Sequence, residues 1–181
     1  MSGLYKNKYR IQSARLQNWD YAWNAAYFIT ICTEKKRCYF GDIVENRMIL
    51  SAVGILADVF WHEIKHHTKN VELGEFIVMP NHVHGVLILN NSIDPVETRH
   101  ALSQDYIGKN RFQNQGKNTI SSIVGSYKSA VTKHAHRLGF DFKWQSRFYD
   151  HIIRNEASYN QIGQYIAENP NCWVDDKFYV P

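Results

Sequence analysis

Two histidines separated by one residue are the first candidates for chemistry in this sequence. His82 and His84 stand at the start of a segment, 83–89, whose composition is typical of a β-strand. Alternate residues of a strand point to the same face of a sheet, so the two imidazoles can converge on one metal ion. A His-x-His pair also occurs without metal on protein surfaces and in cores, so the spacing alone leaves a structural role open.

A second histidine pair lies in the run HEIKH, which matches the His-Glu-x-x-His pattern of zinc proteases. The apolar periodicity around this run predicts a helix over 51–69, with Ser51 as its N-cap. At about 100° of rotation per residue, His62 and His66 project from the side opposite the apolar stripe that contains Phe60. This phase disfavours a buried zinc site, so the zinc protease is the weakest of the interpretations considered.

A tyrosine and an asparagine four residues apart form the third candidate. The pattern predicts a helix over 156–168 that ends before Pro170. Tyr165 and Asn169 are stacked on one side of it, next to the apolar stripe that contains Ile166. The amide oxygen of Asn169 is a ligand suited to a hard divalent ion such as Mg²⁺ or Mn²⁺. The chain has 11 tyrosines, most of them expected to be structural, so this pair alone does not define a function.

The elements that must position these residues follow a recognisable order. The sequence predicts strands at 26–33, 75–79, 83–89 and 148–153, and helices at 51–69, 119–138 and 156–168. The order is βαββαβ with a trailing helix, which predicts an α+β fold. Its sheet is antiparallel and ferredoxin-like, and the additional C-terminal helix carries Tyr165. Many unrelated functions use this fold, so it does not identify the activity.

Length and composition are those of a globular protein. A chain of 181 residues, 44% of them hydrophobic and 21% charged, predicts a single domain over 1–181 with an ordinary core. The polar stretch 90–118 is too long for a usual connection and is interpreted as a mobile loop or insertion. No apolar run reaches the roughly 18 residues of a membrane span, and no secretory signal is evident. Three cysteines without a CxxC spacing predict free thiols and a cytoplasmic protein.

Positive charge is concentrated in one part of the chain. The formal net charge is +4, and the segment 117–154 contains seven cations and two acids. This segment is therefore more positive than the whole chain, and the remainder is close to neutral. A surface of this kind suits a phosphate backbone, although a solvated helix face would explain the charge equally well.

Several motifs occur together in a diagnostic order. They are RLQNWDY (15–21), YFITICT (27–33), MPNHVHG (79–85), WQ (144–145), RFYDHIIRN (147–155) and YIAENP (165–170). In content and order they resemble the REP-associated tyrosine transposases, which are relatives of the transposases of the smallest bacterial insertion sequences. The resemblance covers nearly the whole chain except 90–118.

This resemblance implies a single HUH-type domain, in which a His-hydrophobic-His motif on a central strand binds the metal. The implied metal ligands are His82, His84 and Asn169, and the implied nucleophile is Tyr165. The larger insertion-sequence relatives have glutamine at the position of Asn169, so the asparagine is a departure toward the REP-associated branch. The nearby tyrosines that the resemblance passes over are Tyr149 and Tyr159.

The implied activity is a metal-dependent transesterification that cleaves and rejoins single-stranded DNA, at sequences that form hairpins, through a 5′-phosphotyrosine. Mg²⁺ or Mn²⁺ would polarise the scissile phosphate, and covalent capture would conserve the bond energy without ATP. Relatives include monomers and homodimers, so the oligomeric state stays open. The alternative is a non-catalytic nucleic-acid-binding module on the same fold, which the joint presence of the histidines, Tyr165 and Asn169 disfavours.

The basic segment supplies the expected DNA contacts. Its cations would follow the phosphate backbone, and its tryptophan would stack on unpaired bases. The residues in this predicted interface are Lys128, Lys133, Arg137, Lys143, Trp144, Arg147 and Arg154.

Overall fold

The computed structural model describes residues 24–90 and 118–180. The upstream motif at 15–21 lies outside the described residues. So does nearly all of the predicted mobile loop at 90–118.

Six strands and three α-helices make up the described chain. In chain order they are β1 (Ala25–Cys32), β2 (Gly41–Val44), β3 (Arg47–Leu50), α1 (Ala52–His67), β4 (Val71–Met79), β5 (His82–Leu89), α2 (Ile120–Arg137), β6 (Tyr149–Ile153) and α3 (Glu156–Glu168). Short 3₁₀ segments cover Glu34–Lys36 and Asn169–Asp175.

The main sheet has four strands in the order β4-β5-β1-β6, and each neighbouring pair is antiparallel. Without the small β2–β3 hairpin, the chain order is βαββαβ, and β1 and β5 occupy the centre of the sheet. This arrangement confirms the predicted ferredoxin-like sheet. The helix α3 is the predicted C-terminal addition.

Side-chain caps explain where the helices begin. The Ser51 hydroxyl accepts a hydrogen bond from the Gly54 amide at 3.1 Å, which confirms the predicted N-cap of α1. Asn155 does the same for α3 by accepting from the Ser158 amide at 2.8 Å. Such caps satisfy amides that have no partner within the helix.

The two faces of the sheet bury different clusters. On one face, apolar residues of β1 pack with α1 and α2 in the larger core. On the other face, Val86, Ile153 and Ile166 form a smaller cluster with α3. Gly85 allows the larger core to close, because a Cβ at this position would lie only 2.2 Å from the Trp61 ring. Among the described residues, no helix combines the length and apolar character needed to cross a membrane.

Two features differ from the sequence expectation. The β2–β3 hairpin was not predicted, because its strands have four residues each and leave Val44 and Ile49 more than half exposed. The helix α3 ends at Glu168, before Pro170, as predicted, but a 3₁₀ helix that the sequence did not predict follows it at Asn169–Asp175. Proline is compatible with the first turn of a helix, where its missing amide is not needed. The three free cysteines are as predicted.

Candidate active site

The histidine pair lies on β5, between β1 and β4, on the face covered by α3. His82 pairs with Cys32 of β1, and His84 pairs with Thr30. Their side chains are 0% and 1% exposed, and the ring centroids are 4.4 Å apart. Strand alternation thus brings the two imidazoles together inside the protein.

Asn81 determines which nitrogen of His82 is available. Its amide group donates hydrogen bonds to the carbonyl oxygens of Lys36 (3.1 Å) and Phe178 (2.8 Å). The Asn81 oxygen therefore accepts from Nδ1 of His82, at 2.9 Å. This assigns the proton to Nδ1 and leaves Nε2 as a free acceptor, which is the usual arrangement of a metal-binding histidine.

His84 is held in a similar way. Its Nδ1 lies 2.8 Å from the Thr30 hydroxyl, and its Nε2 faces α3. Burial lowers the pKa of His82 to about 3, and burial together with the neighbouring His82 lowers the pKa of His84 well below its usual value. Both imidazoles are therefore neutral at pH 7 and carry the lone pairs that a metal ligand needs.

The helix α3 brings Tyr165 to the histidines. The Tyr165 hydroxyl lies 3.3 Å from Nε2 of His84 and donates to Oδ2 of Asp176, also at 3.3 Å. The side chain is 38% exposed, so the hydroxyl lies at the boundary between the site and solvent. Burial, and secondarily the negative charge of Asp176, raise the pKa of Tyr165 to about 12.

One turn later, Asn169 is 2% exposed and donates to Asp176 Oδ2 at 3.3 Å. The four-residue spacing thus places Tyr165 and Asn169 at the same site, as the sequence predicted. His82, His84, Tyr165 and Asn169 therefore come together within a single chain.

Sequence reasoning missed Asp176, which follows the last 3₁₀ helix. Atoms of His82, His84 and Asp176 that could ligate a metal all lie within 4.8 Å of one another. An acidic residue near the chain terminus carries no periodicity or motif that would have marked it. Its other carboxylate oxygen accepts from the Phe178 amide at 2.7 Å, which orients the side chain toward the histidines.

Two buried polar atoms show that these residues fit a cation. Within the described chain, Nε2 of His82 and Oδ1 of Asn169 are inaccessible to solvent and have no hydrogen-bond partner. Buried polar atoms are normally paired, so each orphan needs an explanation. A divalent ion would satisfy both, and imidazole nitrogen with carboxylate or amide oxygen is a ligand set that such ions accept.

The second histidine pair forms no comparable site. His62 and His66 are exposed on α1, as helical phase predicted, although the His62 ring meets Phe76 edge-on at 5.9 Å. The group with His82 is the only cluster of His, Cys, Asp and Glu within residues 24–90 and 118–180 with metal-binding geometry. The structure therefore offers no support for the zinc-protease interpretation.

Part of the predicted DNA interface gathers in one cleft. Lys128, Lys133, Lys143 and Trp144 line a cavity of about 530 Å³ beside α2. The exposed Arg137, Arg147 and Arg154 are not in its lining.

Three members of this cleft already have partners in the protein. The ammonium group of Lys128 donates to the carbonyl oxygens of Gln145 (2.6 Å) and Ser146 (3.2 Å). The Trp144 indole donates to the carbonyl oxygen of Lys128, and the ring packs against aromatic residues that include Phe142. Lys133 and Lys143 are exposed, and the Lys143 ammonium group forms an ion pair with Asp141 at 3.3 Å.

Comparison with known proteins places this geometry in context. No family model matches the chain. A protein of Haemophilus influenzae, described only as uncharacterized, is 37% identical over 170 residues, which is 93% of each chain. The chain belongs to the family of this Haemophilus protein.

Membership of this family does not identify an activity. The comparison with solved structures bears on the fold. The structure of a REP-associated tyrosine transposase bound to a REP hairpin superposes with a TM-score of 0.54 and 19% identity. The match covers 96% of this chain and 76% of the other. The fold implied by the sequence resemblance is thereby confirmed. A Deinococcus radiodurans protein provisionally described as a transposase matches at a TM-score of only 0.38.

Proposed function

We propose that this chain is a metal-dependent transposase that cleaves and rejoins single-stranded DNA, with Tyr165 as its nucleophile. The observation that carries the proposal is the Tyr165 hydroxyl, 3.3 Å from a buried neutral His84 that shares its site with His82 and Asp176. The fold is that of a tyrosine transposase, which supports the assignment. Only a hydroxyl next to a cation site is positioned both to attack a phosphate and to have the developing charge neutralised.

In the proposed reaction, the Tyr165 oxygen attacks phosphorus and the bond from phosphorus to the 3′ oxygen breaks. The products are a 5′-phosphotyrosyl link and a free 3′-hydroxyl, which takes up a proton. Attack of a 3′-hydroxyl on the same phosphorus reverses the step and joins strands. One phosphodiester is exchanged for another, so no ATP is consumed.

Deprotonation of Tyr165 is the main obstacle, since its pKa of about 12 keeps it protonated at neutral pH. Asp176 Oδ2 and Nε2 of His84 both lie 3.3 Å from the hydroxyl, and the carboxylate accepts its hydrogen bond and is our choice for the group that takes the proton. A bound Mg²⁺ or Mn²⁺ would supply positive charge that favours the tyrosinate and stabilises the pentavalent transition state. The residues that would hold it are His82 and His84, with oxygen ligands from Asp176 and Asn169.

The substrate class follows from the same site. Tyr165 is 38% exposed and lines a cleft of about 360 Å³ together with Lys177 and the acids Glu168, Asp175 and Asp176. A flexible unpaired strand would therefore enter this cleft together with a bound cation that offsets the acids. The related fold was solved with a REP hairpin, so a hairpin-forming substrate is our first choice. Lys133 and Lys143 would contact its phosphates. We further propose that residues 1–181 act as one domain and that catalysis takes place within one chain.

The test is formation of a covalent protein–DNA complex. Labelled single-stranded hairpin DNA is incubated with protein and Mg²⁺ or Mn²⁺, and the products are separated on a denaturing gel. Wild type should give a retained band and Tyr165→Phe none. Tyr159→Phe is the matched control, because this half-buried tyrosine lies on the same helix, earlier by six residues.

A band that survives in Tyr165→Phe would move the nucleophile to another residue. Binding of hairpins without any band, across a panel of sequences and both metals, would favour the non-catalytic nucleic-acid-binding module.

A further inference from the structure

Two exposed side chains extend the active-site face to the edge of the sheet. Tyr149 of β6 pairs with Thr30 of β1, which in turn pairs with His84. Residues directly opposite one another on adjacent strands point to the same face. Tyr149, Thr30 and His84 therefore form one row across the sheet. By the same rule His151, which pairs with Phe28, belongs to the next row.

The orientation of β6 is confirmed by its other residues. Ile152 packs in the larger core with α1 and α2, whereas Ile153 packs in the cluster with α3. Alternation then places Tyr149 and His151 on the α3 face, the face of the histidine pair.

The α3 helix leaves this part of the sheet open. It packs mainly against β4, on the opposite edge from β6. Ile153, at the far end of β6, is 8% exposed, but Tyr149, at the end nearest the site, is 51% exposed, and His151 is exposed as well. Among the described residues, neither the Tyr149 nor the His151 side chain has a hydrogen-bond or ring-stacking partner. An exposed tyrosine ring without a partner on a flat sheet face is available to a ligand.

Aromatic contacts connect this edge to the reacting groups. The Phe28 ring stacks on His84 with centroids 5.2 Å apart, and Tyr165 meets Phe28 edge-on at 6.2 Å. Neighbouring strands are about 4.8 Å apart, so the Tyr149 backbone lies about 10 Å from that of His84. An unpaired strand that crosses this face of the sheet would therefore pass both places.

We propose that Tyr149 and His151 form a stacking surface for an unpaired base next to the phosphate that Tyr165 attacks. Every base has an aromatic face, so such a surface holds single strands with little dependence on sequence. Arg147 and Arg154 flank β6 and are exposed, in position to contact the adjoining phosphates. This inference rests on the proposed function, because it assigns a position on the substrate of the same site.

The experiment measures stacking without cleavage. Hairpin oligonucleotides carry the fluorescent base 2-aminopurine at one unpaired position at a time, and they are titrated with the Tyr165→Phe protein. Quenching on binding should occur at one position. It should disappear in Tyr149→Ala/Tyr165→Phe and persist in Tyr149→Phe/Tyr165→Phe, which keeps the ring but lacks the hydroxyl.

Affinity provides a second readout. Tyr149→Ala should weaken binding about tenfold, the usual scale for loss of one base–aromatic stack. The same penalty should be absent when the base at the quenched position is replaced by an abasic site. Val59→Ala is the control, since Val59 is an exposed apolar residue of α1, on the other side of the sheet and away from the proposed phosphate contacts. It should bind like the parent protein.

Equal quenching with and without the Tyr149 ring, at every position, would overturn the proposal. So would a Tyr149→Ala penalty that is unchanged on the abasic oligonucleotide, or failure of the protein to bind any of the hairpins. Quenching that depends on Tyr149, in a protein whose wild type forms no covalent complex, would support the stacking surface and contradict the proposed cleavage activity. The two failures are therefore distinguishable.

Discussion

Two histidine pairs in this chain differ in what surrounds them. His62 and His66 are spaced as in a zinc-binding helix, yet both are exposed on the surface of α1. His82 and His84 have a spacing with little diagnostic value, yet they are buried and oriented by Asn81 and Thr30. The comparison shows that the spacing of two histidines is not sufficient for a metal site. Burial, fixed tautomers and a nearby acid turn the second pair into a candidate site.

We expect the largest effect when both histidines of one pair are replaced and the result is compared with replacement of the other pair. His82→Gln/His84→Gln should abolish high-affinity Mn²⁺ binding and reduce covalent-complex formation by more than about a hundredfold, because the charge-stabilising centre is lost. His62→Gln/His66→Gln should leave both unchanged. Calorimetric titration of Mn²⁺ and the denaturing-gel assay measure the two effects. Equal losses in both double variants would contradict the assignment of the site, provided that circular dichroism shows both proteins folded.

Asp176 distinguishes the pairs further, since the helical pair has no comparable acid in metal-binding geometry among the described residues. Asp176→Asn should weaken Mn²⁺ binding roughly 10- to 100-fold, as one would expect for a group that ligates or orients the ion. Asn169→Ala should weaken it less, because a neutral amide contributes no charge. Calorimetry on the two variants measures the difference. A larger loss in Asn169→Ala would make the asparagine, as the sequence predicted, the principal oxygen ligand.

The tautomer of His82 is the next difference to probe. Asn81→Ala removes the acceptor that fixes Nδ1–H and also the two amide donors to Lys36 and Phe178. Metal affinity should fall about tenfold. Asn90→Ala is the control, because its amide makes an exposed hydrogen bond to Glu72 far from the site. An Asn81→Ala protein with wild-type Mn²⁺ affinity would show that the orientation of His82 does not depend on this contact.

The smallest effect is on stability without metal. Burial lowers the pKa of His82 to about 3 and that of His84 well below its usual value, so the unfolded state binds more protons below pH 6.5. Stability should therefore fall as pH decreases from 6.5 toward 3, by about 2 kcal/mol for the pair between pH 6.5 and 5.5. Urea unfolding in EDTA measures it. His82→Gln/His84→Gln should lose this part of the pH dependence, and a variant that retains it would refute the burial argument.

Local features of the sequence determined where the helices begin and which side chains share a face of a strand or helix. Apolar periodicity and the caps Ser51 and Asn155 set the helices, because these signals act within a few residues. Strand alternation put His82 and His84 on one face, and helical spacing put Tyr165 and Asn169 at the same site.

Tertiary structure alone decided the rest. The register of β1 against β5 and β6 placed Thr30 and Tyr149 in the row of His84, and no local pattern encodes a pairing between distant segments. Asp176 reaches the histidines because the chain turns back after α3, which depends on packing of the whole molecule. Trp144 was expected on the surface but packs against an aromatic cluster. The spacing of residues along a chain describes their local geometry, whereas their burial and partners depend on contacts that form only when the sheet is assembled.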